Sequence, residues 1–112
     1  MEHTYREVRL KNGTRKLLIT FADERYDLLA EFMQTEADAY GDMILEEADA
    51  VLDGIKKEGR VNCGTYRIAL FPSFSIVYDD SDALSWCQAD TVDLYNLLIE
   101  WQQRTQQMTA HQ

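Results

Sequence analysis

Between residues 22 and 55 apolar side chains recur with the period of an α-helix, and this pattern restricts the fold more than any other feature of the chain. At 100° per residue, Tyr26, Leu29, Ala30, Met33, Ala37, Tyr40, Ile44, Ala48, Val51 and Ile55 fall in one angular sector. Glu24, Asp27, Glu31, Asp38, Asp42, Glu46, Asp49 and Asp53 fall in the opposite one. The spacing predicts an amphipathic helix, or two in register, with an apolar stripe inward and a carboxylate stripe in water. Asp23 is placed to cap its start, and Lys56-Lys57 stand against its C-terminal dipole before Gly59. One unbroken helix of this length would run about 50 Å, longer than a small domain holds, so a kink or short break is expected at Tyr40 to Asp42.

The same segment carries eleven acidic side chains and one basic one, Arg25, in a chain whose total charge is -9, so the remainder nearly cancels. Like charges four residues apart, as in Asp27/Glu31, Asp38/Asp42, Asp42/Glu46 and Asp49/Asp53, each cost roughly 0.2 to 0.5 kcal/mol of helix stability. No lysine is placed to offset them. Such a face is either a solvated surface that keeps the protein soluble or an electrostatic surface for a basic partner. The acidic balance argues against direct binding of nucleic acid or anionic lipid, because phosphate recognition needs clustered Lys and Arg.

On either side of this segment the period changes to that of strands. Residues 4 to 10 and 15 to 21 are two β-rich runs around Lys11-Asn12-Gly13-Thr14, and Asn-Gly between such runs predicts a hairpin with a type I′ turn. Further on, Tyr66, Ile68 and Leu70 alternate with Arg67 and Ala69, Pro72-Ser73 turns the chain, and Phe74, Ile76 and Tyr78 alternate with Ser75 and Val77. This predicts a second hairpin. Leu84 to Gln88 reads as a short strand, and Asp90 caps a last helix with a wide apolar face: Val92, Leu94, Tyr95, Leu97, Leu98, Ile99 and Trp101. That face either packs centrally or supports self-association, so a monomer or a weak homodimer is expected. From about residue 104 the chain turns polar and Gln-rich, which predicts a frayed tail.

These elements make one α+β domain over residues 1–112, with a mostly antiparallel sheet of about five strands, from two hairpins plus one strand, and helices packed on it. No stretch approaches the roughly 20 apolar residues of a membrane span and Met1 to Leu10 lack the core of a signal peptide, so a cytoplasmic location is expected. Cys63 and Cys87 lack a C-x-x-C spacing and sit in strand-like stretches; they read as reduced core or sheet residues.

Catalytic constellations are missing. His3 and His111 lie near the termini, where neither is expected in a cleft, and no P-loop, G-x-S-x-G, G-x-G-x-x-G or H-E-x-x-H pattern occurs. Two cysteines and two terminal histidines do not make a zinc site, so no metal and no cofactor are expected. Asp79, Asp80 and Asp82 cluster oxygens as a cation site would, without the spacing, glycine and closing glutamate of an EF-hand; a polar turn accounts for them equally well. Tyr66, Phe71, Phe74, Tyr78 and Trp86 have the spacing of core or cross-strand packing, and any left exposed beside acids would suit a protein-binding surface.

Four stretches together resemble small bacterial immunity proteins of the contact-dependent growth inhibition type. They are Val51-Leu52-Asp53-Gly54 closing a helix, Asn62-Cys63-Gly64 opening the next strand, Trp86-Cys87-Gln88-Ala89-Asp90, and Leu97-Leu98-Ile99-Glu100-Trp101 in the last helix. The resemblance implies a cytoplasmic, non-enzymatic binding protein that caps a basic toxin nuclease domain, over its active site or beside it. The charge agrees, since a carboxylate stripe competes for a surface built to hold phosphates and steers association. The expected partner-binding residues are the eight stripe carboxylates together with Asp79, Asp80 and Asp82. An acidic DNA mimic that blocks a nucleic-acid-binding factor, and a housekeeping domain with a merely solvated acidic face, remain as alternatives.

Overall fold

A computed structural model describes residues 1–110; His111 lies outside the described residues. The N-terminal hairpin pairs β1 (His3–Arg9) with β2 (Arg15–Phe21), followed by a 3₁₀ turn (Glu24–Tyr26) and α1 (Asp27–Leu52). Four strands come next: β3 (Gly59–Cys63), β4 (Tyr66–Leu70), β5 (Ser75–Asp79) and β6 (Trp86–Ala89). The chain then ends in α2 (Thr91–Ala110). The fold is α+β, but the strands number six and divide into two antiparallel sheets, β1-β2 and β3-β4-β5-β6. The strand absent from the sequence reading is β3. It turns Gly59, Val61 and Cys63 inward, and glycine and cysteine give a weaker strand signal than the Tyr66, Ile68 and Leu70 of the equally long β4.

The break expected at Tyr40 to Asp42 is absent, because α1 is one helix of 26 residues. At 1.5 Å per residue that is about 39 Å, which fits a longest molecular dimension of 43 Å. Its ends, not its middle, take up the excess. Asp23 caps the 3₁₀ turn by accepting from the Arg25 amide at 2.9 Å. At the far end Gly54, at φ +78°, closes the helix in a Schellman motif: Ile55 N–H donates to Ala50 C=O and Gly54 N–H to Val51 C=O. Ile55 therefore leaves the apolar stripe and is 78% exposed. Gly41 is buried where α2 crosses; a side chain there would meet the Gln102 amide at 3.2 Å.

One more expectation is corrected, and a phase that the alternation leaves open is settled. The β1–β2 connection is a Leu10–Gly13 turn, closed by Gly13 N–H donating to Leu10 C=O at 2.9 Å. Only Gly13 has positive φ, so the turn is not type I′; it matches a type I turn ended by a left-handed glycine. In β5 the inward residues are Ser75 and Val77, and Ile76 and Tyr78 face out. The Ser75 hydroxyl is buried at 2.7 Å from Thr91 Oγ1, and that pairing lets a polar residue take the inward phase.

α1 lies across the inner face of the four-stranded sheet and also against β2 and α2. Leu29, Phe32, Met33, Ile44 and Val51 of α1 form one core with Leu17, Ile19, Phe21, Ile68, Leu70, Leu94, Leu98 and Trp101. Asp90 caps α2 as expected, accepting from the Val92 and Asp93 amides at 2.9 and 3.2 Å. The segment expected to fray continues as helix to Ala110, with Met108 buried.

Candidate functional site

All eight stripe carboxylates are exposed along α1 and its two ends, as their phase requires. They are not equivalent, because α2 and β4 border the stripe and engage part of it. Asp38 accepts from the Trp101 indole N–H at 2.8 Å, and Asp42 from the Gln102 amide at 2.7 Å. Asp49 sits against the Tyr95 hydroxyl and raises its pKa, with Asp53 adding to the effect. Toward the N-terminal end, burial and then the Glu31 carboxylate push the Tyr66 hydroxyl up to about 12. Glu24, Asp27, Glu46 and Asp53 accept no side-chain hydrogen bond among the described residues. These four are the stripe carboxylates with no hydrogen-bonding side chain set against them.

The β5–β6 loop uses its acids internally. Asp79 accepts from the Ser81 amide at 2.9 Å and from its hydroxyl at 2.6 Å. Asp82 accepts from the Leu84 amide and the Ser85 hydroxyl, at 3.1 and 2.9 Å. Asp80 pairs with Arg67 at 3.0 Å. Each carboxylate thus holds the turn in shape, and no group of three His, Cys, Asp or Glu residues is arranged to hold a metal ion among the described residues. Asp79 also lies opposite Tyr66 in the β4–β5 register, where its charge adds to that of Glu31 in raising the Tyr66 hydroxyl.

Sequence periodicity alone does not mark the outer face of the four-stranded sheet. Arg60, Asn62, Arg67, Ile76, Tyr78, Trp86 and Gln88 point away from α1. The Arg67 guanidinium stacks 4.6 Å from the Tyr78 ring centre, and Trp86, opposite Tyr78, is 58% exposed. Exposed Trp, Tyr and Arg together are the residue types that dominate protein interfaces. The signal was present in the polar residues Asn62, Arg67 and Gln88, which share the phase of Tyr78 and Trp86. Beside Trp86 a shallow groove of about 530 Å³ runs between the 3₁₀ turn and β6.

Cys63 and Cys87 are free, buried thiols. Burial, followed by the Glu36 charge, pushes the Cys63 thiol up to about 11. Burial also raises Cys87, whose thiol donates to the Arg25 carbonyl at 3.3 Å. His3 lines a small recess of about 160 Å³, contrary to expectation, because the hairpin folds back on α2. There its Nε2 lies 2.8 Å from Glu100 and its Nδ1 lies 2.7 Å from the Met1 carbonyl. Both ring nitrogens are thus engaged, Nε2 tying β1 to α2 and Nδ1 bonding locally within the N-terminal segment. No helix among the described residues is long and apolar enough to cross a membrane.

The chain is similar to a Bacillus cereus protein named "Immunity protein", at 29% identity over 107 residues that cover 93% of this chain and 89% of the other. No protein-family model and no solved structure matches it.

Proposed function

We propose that this chain is an immunity protein that binds a cognate toxin domain stoichiometrically and neutralises it without turnover. The observation that carries the reading is the near end-to-end similarity to the Bacillus cereus immunity protein. The charge distribution supports it and narrows the partner. Glu24, Asp27, Glu46 and Asp53 hold uncommitted negative charge along one side of the molecule, which suits a toxin with a basic, phosphate-binding surface, as a nuclease has. On this reading the toxin is a nuclease domain of the contact-dependent type, and the chain acts in the cytoplasm, where such a domain would do its damage.

The test is co-expression with a candidate toxin nuclease domain, sought first in a gene neighbouring the one for this chain. Cells should survive with the chain and die without it, and the two proteins should purify as an equimolar complex. Survival without complex formation would contradict the reading, as would binding of the acidic chain to a nucleic-acid-binding factor in place of the toxin.

A further inference from the structure

Two open strand edges are guarded differently. β1 carries Arg6, Glu7 and Arg9 along its length, and charge on an edge discourages chance pairing with other chains. β6, one margin of the four-stranded sheet, reads Trp86-Cys87-Gln88-Ala89 and carries neither charge nor proline, whereas β3, the other margin, carries Arg60. The ladder shows which atoms it offers. The Asp79 amide donates to the Ser85 carbonyl at 3.1 Å, and the register then pairs Val77 with Cys87 and Ser75 with Ala89. In an antiparallel ladder this alternation turns the backbone of Cys87 and Ala89 toward β5 and that of Trp86 and Gln88 outward. The outward groups are two N–H donors and two carbonyls. Among the described residues their one contact is a long one, the Cys87 thiol 4.0 Å from the Gln88 carbonyl.

The groove along this edge is walled by Arg25 and Tyr26 and closed at one end by Asp90. Glu24 and Asp27, two uncommitted carboxylates of the stripe, flank that wall. Arg25, the wall's cation, is already paired with Asp23 at 2.7 Å. Apolar surface, free backbone hydrogen-bonding groups and surrounding negative charge therefore meet at one place, continuous with the proposed binding face.

We propose that the margin of β6 takes an extended, lysine- or arginine-bearing segment of the toxin domain as an added strand. Its backbone pairs with Trp86 and Gln88, an apolar residue rests on Trp86, and a cationic side chain reaches Glu24 or Asp27. Strand addition of this kind draws affinity from the main chain and specificity from alternate side chains. The inference rests on the immunity reading and goes beyond it by naming the partner's segment and the atoms that hold it.

The experiment uses the full chain and the toxin domain made catalytically inactive. Gln88→Pro removes one outward N–H and leaves the β5 pairing intact, since proline is accepted at such edge positions; Trp86→Ser removes the ring without altering the backbone. Both variants should melt like the parent and bind at least roughly tenfold more weakly, and in the complex the Trp86 and Gln88 amides should exchange at least about tenfold more slowly with solvent. If Gln88→Pro lowers the melting temperature, Trp86→Ser and amide exchange decide. Failure of the parent chain to bind the domain would overturn the immunity reading itself. Binding by the parent with unchanged affinity in both variants and unprotected Trp86 and Gln88 amides would overturn the edge inference alone.

Discussion

The outer stripe of α1 and the margin of β6 are both exposed and border one another at Arg25 and Tyr26, yet they offer a partner opposite things. The stripe offers charge without anchors: its free residues are carboxylates on a helix, effective over about a Debye length and poor at excluding water. The margin offers anchors with no charge of its own, an exposed tryptophan and free backbone groups, and the sheet face beside it adds a stacked Arg67–Tyr78 pair. Long-range charge governs how fast partners meet, and buried aromatic contact governs how long they stay. A toxin-binding surface that spans both regions would associate through the first and be retained through the second.

Breaking the anchor should have the largest effect. Trp86→Ala is expected to cost about 2 kcal/mol of binding, or roughly thirtyfold in affinity, expressed as faster dissociation with the association rate nearly unchanged. Surface-plasmon kinetics separate the two rates, and a slower association with unchanged dissociation would reverse the assigned roles. The next effect sorts the stripe itself. Asp38→Ala should lower stability by about 1 kcal/mol because it removes the acceptor of the Trp101 indole, whereas Glu46→Gln should leave the melting temperature where it is. Equal melting of the two variants would show that Asp38 is as free as Glu46.

A smaller effect is expected with acid. Hydrogen bonding from His3, with Tyr5 and Arg104 contributing, holds the Glu100 carboxyl below its usual range. A carboxylate whose folded-state pKa is depressed stabilises the fold above its ordinary pKa, and that contribution is lost as pH falls through the lowered value. Since Glu100 is 43% exposed the change is modest. Melting curves taken from pH 6 downward should fall more steeply for the parent than for His3→Gln, and parallel curves would remove the pair from the account. The least disruptive test uses the thiols. Cys87 lines the groove and Cys63 does not, so a thiol reagent should reach Cys87 first in the native protein, and bound toxin should slow that reaction and leave Cys63 unchanged.

Periodicity revealed α1, both anticipated hairpins and the Asp90 cap, because each is written in residues close together in sequence. It could not show that Asp38 and Asp42 are engaged, since their partners Trp101 and Gln102 lie about sixty residues away. Nor could it choose the phase of β5: both phases carry apolar residues, and the buried Ser75–Thr91 hydrogen bond settles which side faces the core. The β1–β2 turn was placed correctly and typed wrongly, because Asn12 can adopt either sign of φ and the sequence does not say which. Of the candidate site, the stripe was legible as a face. The β6 margin was not, since its significance is that no neighbouring strand covers it, which is a property of topology.

The central claim is that the uncommitted carboxylates along α1 and at its two ends recruit a basic toxin domain. Replacing Glu24, Asp27, Glu46 and Asp53 together with Gln or Asn, and following association with the inactive toxin domain from low to high salt by stopped flow, tests it most directly. The account predicts association slowed by about tenfold or more at low salt, a flattened salt dependence, little change in dissociation, and a melting temperature held or slightly raised as like-charge pairs are relieved. A well-folded variant that associates as fast as the parent, with the same salt dependence, would contradict it and leave the stripe a solvated face.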